Sequence, residues 1–258
     1  MGMKSIRIKQ MEQYIMEHDL VSMDELRSKF NISMNTVRLD VAQLVSKGAI
    51  RKVYGGVCSN QKGNLVPFEE RQGKNIQGKI ACGIAAAKLV EDGDIIFIDS
   101  GTTTMYMVDY MRECNSVTVL TNNLNVINRA IAIPSINLIC LPGTLERKTN
   151  SFVSADTVRA LEKYNISKAF MASSGITHSG MVTNSSPLEY EIKKAAIAGS
   201  HHTILMIDSS KYGKSGMLTY ANLSDMKKVI VDEEVNPALL SLFEKNNVEV
   251  VIAPFPQE

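Results

Sequence analysis

The sequence predicts an α/β protein, with a small helical segment ending in a hairpin followed by a larger, mostly parallel sheet covered by helices. Residues 1–58 show helical apolar spacing and a mild basic excess, with nine Lys/Arg against six Asp/Glu. From residue 75 onward, short runs rich in Ile and Val alternate with helical stretches. The 258 residues are enough for these two units. We therefore predict domains at 1–58 and 75–258, joined by a linker over 59–74.

The first segment is predicted to contain three helices. Residues 5–17 carry apolar side chains at helical spacing. Ser22 opens a capping-box pattern, so a second helix is expected to begin near Met23. Ser33 is a candidate N-cap of a third helix. The apolar face of this third helix would consist of Val37, Val41, Leu44 and Val45.

The opposite face of the third predicted helix is polar. Its candidate DNA-binding side chains, which can hydrogen-bond phosphates and base edges, are Ser33, Asn35, Thr36, Arg38 and Gln43. A short helix pair with such a second member is the helix-turn-helix layout. Residues 49–58 then predict a hairpin that would act as a DNA-gripping wing through Arg51, Lys52, Tyr54, Gly55 and Gly56. The alternative is a protein-interaction domain whose polar helix face is merely solvated.

The second segment has the pattern of a buried sheet. Residues 59–74 look like a polar linker whose run 65–68 docks against another part of the chain. The predicted strands, apolar enough for burial on both faces, are 95–98, 117–120, 136–141, 169–172, 203–207, 229–231 and 248–252. The predicted helices between them are 78–90, 104–112, 124–132, 155–163 and 188–198. This alternation predicts a largely parallel sheet with helices on both faces.

Small polar residues and glycines follow five of the predicted strands. Ligands of open α/β sheets bind beyond the carboxyl ends of the strands, where these loops should meet. In 99–104 a glycine and three threonines that open a helix would favour a phosphate or carboxylate. The candidate effector-binding residues are Asp99, Ser100, Gly101, Thr102, Thr103, Thr104, Thr121, Asn122, Lys148, Ser174, Gly175 and Lys211. The alternatives are a simple helix cap for the threonines and solvated surface positions for the lysines.

Composition narrows the function classes. The net charge is +1, and no apolar run reaches the length of a membrane span. No secretory signal is visible, so we expect a cytoplasmic protein without membrane contact. The cysteines, Cys58, Cys82, Cys114 and Cys140, lie far apart and are expected to be reduced and mostly buried. We predict no metal site and no cofactor.

Together these residues resemble the DeoR family of bacterial regulators. The winged helix of that family is matched by 36–41, Leu44, Gly48, Arg51 and 54–56. The second segment is similar to the family's sensor domain, whose fold is similar to ribose-5-phosphate isomerase and CoA transferases. Its matching runs are 93–104, 120–122, 147–153, 168–170 and 208–214. The runs closest to the family's inositol-catabolism branch are 53–57, 65–69, 147–153 and 188–194.

The resemblance implies a DNA-binding transcriptional regulator, in most such proteins a repressor of a catabolic operon. Its partners would be double-stranded operator DNA and a phosphorylated sugar-like effector. Intermediates of the inositol pathway are among the candidate effectors. It would act as a homo-oligomer, a dimer or a tetramer. The chain departs from the family pattern at Leu39, where a second Arg is common, and at Ser154, Ser167 and Ala172. These departures are expected to alter the operator preference and the effector fit.

Two rival functions remain at this point. An isomerase or transferase on the same sensor fold could use Asp99, Glu189 and Lys211 for acid–base chemistry. Against it, a helix-turn-helix is superfluous for an isomerase, and no nucleophile elbow or metal-ligand cluster is visible. A thiol redox sensor could use Cys58, but nothing nearby is expected to lower the pKa of its thiol.

Overall fold

The computed structural model describes residues 3–18, 21–47, 49–53, 56–59 and 65–256. Its first three helices are α1 (Met3–Glu17), α2 (Met23–Phe30) and α3 (Met34–Ser46). Ser22 Oγ accepts a hydrogen bond from the backbone N–H of Glu25 at 3.0 Å, and Ser33 caps α3 in the same way. Both predicted N-caps are therefore confirmed, because each serine satisfies a backbone donor that the helix leaves free.

A hairpin completes the N-terminal segment. Strand β1 (Ile50–Val53) pairs antiparallel with β2 (Gly56–Ser59), and Val57 also bridges to Val21 ahead of α2. Gly56 lies so close to the chain that a Cβ there would be 2.2 Å from the Val21 carbonyl oxygen. The predicted apolar face of α3 is buried apart from Val45, which is partly buried. Tyr54, Gly55 and Gly48 lie outside the described residues.

The second segment is built on a large sheet. Its strands in chain order are β3 (Ile95–Ile98), β4 (Val117–Thr121), β5 (Ile136–Cys140), β6 (Thr144–Glu146), β7 (Ser151–Val153), β8 (Ile166–Ala172), β9 (Gly175–Ile176), β10 (Met181–Asn184), β11 (Ser200–Ile207), β12 (Leu218–Asn222), β13 (Lys228–Asp232) and β14 (Glu249–Ala253). Its helices are α4 (Phe68–Gln72), α5 (Ile76–Ala87), α6 (Leu124–Ala130), α7 (Ala155–Leu161), α8 (Pro187–Ala198) and α9 (Pro237–Lys245). The order β14-β13-β11-β8-β3-β4-β5 forms a seven-stranded sheet.

Every neighbouring pair in that sheet is parallel, which confirms the predicted α/β architecture. Successive residues of the interior strand β3 lie in different cores, since Phe97 packs into one cluster while Ile96 and Ile98 pack into another. This alternation covers both faces of the sheet. The carboxyl ends of β4, β3, β8 and β11 consequently lie side by side, and the loops that follow them meet.

The structure adds elements that the sequence did not predict. The hairpin β6–β7 and the small antiparallel sheet β12-β10-β9 lie beside the main sheet. The stretch predicted as a helix over 104–112 is a 3₁₀ helix, Thr104–Tyr110. Helix α4 lies within the predicted linker, and its first residue, Phe68, is fully buried in the sensor core. The docking expected for 65–68 is therefore observed, while the domain boundaries themselves stay predictions.

Candidate functional sites

Helix α3 presents the polar face expected of a recognition helix. Asn35 and Arg38 are exposed, and Gln43 is partly exposed. Ser33 and Thr36 have a second task, because their side-chain oxygens are 2.9 Å apart and Ser33 also caps the helix. Their hydroxyls are thus engaged with α3 itself, while Arg38 and Asn35 project without such a role.

Two other α3 residues, Leu39 and Asp40, lie next to this polar face in the helix sequence. Leu39, next to Arg38, is 63% exposed although it is a large apolar residue. Asp40 is buried and accepts a hydrogen bond from Arg7 Nε at 2.8 Å, which links α1 to α3. The structure describes part of the predicted wing. Lys52 on β1 is exposed, and the backbone of Arg51 is paired with that of Cys58 in the hairpin.

Beyond the sheet, five polar side chains form a buried carboxylate network. Its members are Asp99, Ser100, Ser151, Glu189 and Lys193. Asp99 accepts hydrogen bonds from Lys193 Nζ and, at 2.8 Å, from the backbone N–H of Ala172. Glu189 accepts from Ser100 Oγ at 2.5 Å and from Ser151 Oγ at 2.8 Å. The network thus joins β3, β7 and α8 at one point.

The loop after β3 is held by its own polar side chains. Thr104 Oγ1 donates to the Asp99 carbonyl at 2.7 Å, and Asn123 Nδ2 donates to the same carbonyl at 3.2 Å. Gly101 packs against Ala172, since a Cβ at Gly101 would lie 2.2 Å from the Cβ of Ala172. Thr102 and Thr103 are also buried. Glycine at position 101 is therefore needed for this close packing.

Some buried polar atoms beside this loop have no hydrogen-bond partner among the described residues. They are Asn122 Oδ1, Asn125 Nδ2 and Ser173 Oγ. Asn122 does use its other amide atom, Nδ2, to donate to the Phe152 carbonyl at 3.1 Å. Buried polar atoms in native proteins are nearly always paired, so unpaired ones at a strand end indicate a place for a ligand or water.

A group of cations borders the same strand ends, and we call it the basic cluster. It consists of Arg71, Lys74, Lys79, Lys211 and Lys214, which interact electrostatically with one another, and three of them, Lys79, Lys211 and Lys214, also interact with Asp208. Burial lowers the pKa of Lys79 to about 8, with Asp208 opposing the shift. Burial also lowers the pKa of Lys211, and the neighbouring cations add to that effect. The clustering of several like charges with a single carboxylate, Asp208, favours binding of an anion.

The predicted effector residues divide between these features. Asp99 and Ser100 belong to the carboxylate network, and Lys211 belongs to the basic cluster. Ser174 Oγ accepts a hydrogen bond from the Ser185 N–H at 3.0 Å, and Thr121 Oγ1 donates to the Ile98 carbonyl at 2.6 Å.

Gly175 packs directly on the backbone of Lys214, where a Cβ would lie 2.3 Å from the carbonyl oxygen. The side chain of Lys148 is exposed. The effector assignment of all these residues stays a prediction.

Sequence reasoning missed Arg71, Lys79, Ser151, Lys193 and Lys214, and it considered Glu189 only for an enzyme. The pair Glu189 and Lys193 has the i, i+4 spacing of one helix face. That spacing is equally typical of a solvated helix face, so the signal was weak. Arg71 lay in a segment assigned to the linker.

The described residues contain no group of three His, Cys, Asp or Glu side chains that could hold a metal ion. No helix in the described ranges is long and apolar enough to cross a membrane. The expectation of mostly buried thiols is wrong for Cys140, which is exposed because β5 is the outer strand of the sheet. Cys82 is buried, and Cys114 is partly buried.

Family models match both segments. A DeoR-like helix-turn-helix domain matches residues 7–63, and a DeoR C-terminal sensor domain matches residues 74–233.

Among curated proteins, the HTH-type transcriptional regulator IolR of Bacillus subtilis is 43% identical over 97% of this chain and 100% of its own length. The lactose phosphotransferase system repressor of Staphylococcus epidermidis is 30% identical over 88% of this chain and 91% of its own.

Solved structures add little to this. Ribose-5-phosphate isomerase A of Methanocaldococcus jannaschii covers 52% of this chain and 53% of its own, with 16% identity and a TM-score of 0.38. A match at that level carries no functional argument. The curated relatives, in contrast, are named as regulators and repressors. The chain is therefore a transcriptional regulator and not an enzyme, with a DNA-binding segment and a sensor for a small molecule.

Proposed function

The chain belongs to the DeoR family of transcriptional regulators, and on that premise we propose that it represses a sugar or polyol catabolic operon. The controlling effector is a phosphorylated sugar-like molecule bound beyond the carboxyl ends of β3, β4, β8 and β11. One observation supports this proposal: the carboxyl ends of neighbouring parallel strands carry Lys211 of the basic cluster, after β11, and buried polar atoms without a partner in the described chain, after β8 and β4. Cations suit a phosphate, and unpaired amide and hydroxyl groups suit the hydroxyls of a sugar.

The inositol pathway is the proposed source of the effector. The support is the set of sequence runs shared with the inositol-catabolism branch, together with the similarity to IolR. A phosphorylated polyol or ring-opened sugar fits the chemistry described above. The effector assignment of the predicted residues, from Asp99 to Lys211, is part of this proposal.

The proposed mechanism couples the two segments. A homo-oligomer places two or more α3 helices in successive major grooves, with Arg38 and Asn35 directed to the DNA. The wing residues, Arg51 and Lys52 among them, grip the backbone. The effector binds the state with low operator affinity more tightly, because a ligand shifts an equilibrium only through such a difference.

Paired variants test this proposal. Arg38→Ala should weaken binding to DNA from upstream of the chain's own gene by about tenfold, since one charge-assisted contact is lost. It should leave intact the thermal stabilisation by phosphorylated sugars and inositol-pathway intermediates. Ser100→Ala should do the reverse, because it alters the carboxylate network and not α3. Arg112→Ala, an exposed charge on the sensor, is the matched control for Arg38.

The outcomes separate the alternatives. Release of the DNA by one of the phosphorylated compounds supports the proposal and identifies the effector class. Equal loss of both activities in both variants, with intact folding by circular dichroism, contradicts the division of labour between the segments.

A further inference from the structure

We propose that Arg71, on helix α4, binds the anionic group of the effector, so that the segment leading out of the DNA-binding unit is itself part of the effector site. The inference rests on the proposed function and extends it to a residue outside the strand-end loops. It assigns a ligand-binding role to a segment that the sequence suggested was a linker.

Helix α4 is fixed to the sensor next to the carboxylate network. Phe68 is fully buried, and its backbone N–H donates to the Lys148 carbonyl at 2.9 Å. Asn150 Nδ2 donates to the carboxylate of Glu69 at 3.2 Å. The contacted residues 148–150 directly precede Ser151, which donates to Glu189. Helix α4 is therefore held against the turn of the β6–β7 hairpin, one residue from the network.

The guanidinium of Arg71 is positioned but not saturated. Its Nε donates to the Val66 carbonyl at 3.0 Å, and its Cζ lies 5.5 Å from the ring centre of Phe68. Within the described part of the chain, neither terminal nitrogen makes a hydrogen bond. These two nitrogens form the part of an arginine that binds a phosphate or carboxylate through two parallel hydrogen bonds.

The carboxylates near Arg71 are already engaged. Glu189 and Asp99 act on the guanidinium electrostatically, yet Glu189 is bonded to two serines and Asp99 to Lys193. They attract the guanidinium towards the strand ends without occupying its terminal nitrogens. An incoming anion can therefore take those donors without breaking an ion pair.

The backbone around Arg71 is also fixed from the sensor side. Lys79, buried on α5, donates through Nζ to the carbonyls of Arg71 and Lys74. This bond holds the end of α4 and brings Arg71 and Lys74 into the field of Lys211. An anion bound between Arg71 and Lys211 would neutralise two mutually repelling cations at once, which favours a dianionic phosphate over a neutral sugar.

Inorganic phosphate is a direct probe of this inference. Titrated into the full-length protein at constant ionic strength against chloride, it should raise the melting temperature of the wild type. Arg71→Gln should weaken the apparent phosphate affinity by about tenfold or more, the effect of losing a charge-assisted pair of hydrogen bonds. Arg71→Lys, which keeps the charge but loses the planar fork, should show an intermediate loss. Arg112→Gln is the matched control and should respond like the wild type.

Each result decides a different claim. A wild-type response that Arg71→Gln retains in full overturns the role of Arg71 and leaves the proposed function standing. A wild type that does not respond to phosphate overturns the anionic effector and this inference with it. Melting temperatures in chloride, without phosphate, distinguish a folding defect from a loss of phosphate binding. Under those conditions Arg71→Lys should melt at the same temperature as the wild type. A variant that binds upstream DNA normally but is no longer released by phosphorylated compounds supports the inference independently.

Discussion

Asp99 and Lys193 form an ion pair that is almost completely removed from water. Their side chains are 1% and 3% exposed, respectively. Burial of two charges costs several kcal/mol per ion, and the cost is offset only where both are paired and hydrogen-bonded. Here the Ala172 backbone supplies a donor to Asp99 and an acceptor to Lys193, and the Tyr220 ring lies 5.2 Å from Lys193 Nζ. The pair therefore fixes the end of β8 relative to the loop after β3.

Lys193→Met should lower the free energy of unfolding by about 3 kcal/mol, because it leaves the Asp99 carboxylate buried without its cation. Urea denaturation measures the change. Lys194→Met, an exposed lysine on the same helix, is the control and should change stability by no more than about 0.5 kcal/mol. Adding Asp99→Asn to Lys193→Met should recover part of the loss. Equal destabilisation by both lysine variants would refute this account.

Helix α3 has a capped N-terminus, a buried apolar face and an exposed face. Val37, Val41 and Leu44 anchor it in the N-terminal core, and Ser33 fixes where it begins. Neither feature specifies a DNA sequence. In the proposed function, sequence specificity comes from the exposed face, where Leu39 lies beside Arg38 at a position that in the family often carries a second arginine.

Leu39→Arg should tighten binding to any DNA duplex, because a second cation on this face adds a phosphate contact. The slope of log affinity against log salt concentration should steepen by about one. Fluorescence anisotropy over a salt series measures both quantities. Ile6→Arg makes the same change at an exposed position on α1 and serves as the control. An equal gain from Ile6→Arg would mean that the effect is a general charge effect, unrelated to α3.

The main sheet was predictable because its strands share one physical property. Strands buried on both faces must be apolar along their length, so short apolar runs, most of them rich in Ile and Val, marked all seven. The antiparallel sheet escaped prediction because β9 has two residues and β10 and β12 carry polar side chains. The apolar–polar alternation and the residue composition of strands this short and polar do not differ from those of a loop.

Those parts of the candidate sites that depend on local sequence were predictable. The strand-end loops and the α3 face come from local order in the sequence, and both were anticipated. Lys193 and Arg71 were not, because Lys193 is bonded to Asp99 and Arg71 interacts electrostatically with it, and Asp99 is far from both in the chain. A helical lysine buried by tertiary packing has the same local sequence as one in water. Pairing across such distances is fixed only by the folded chain.

The whole regulator should be larger than a monomer at the concentrations at which it binds DNA. One winged helix reads a single half-site, and half-sites lie about 34 Å apart along B-DNA, beyond the reach of one copy. Analytical ultracentrifugation should therefore give a dimer or a tetramer. A strictly monomeric protein that still binds upstream DNA with sequence specificity would contradict the proposed arrangement.

The burial of Phe68 and the contacts of α4 with residues 148–150 limit where this sensor can be joined to the DNA-binding unit of another regulator. A chimera that joins a foreign winged helix to this sensor at residue 75 would discard α4, uncover part of the apolar core and remove Arg71. A junction placed before Leu65 would retain all three. Exchange of DNA-binding units among such regulators should succeed when the crossover precedes α4, and should yield poorly folded, unresponsive hybrids when it follows.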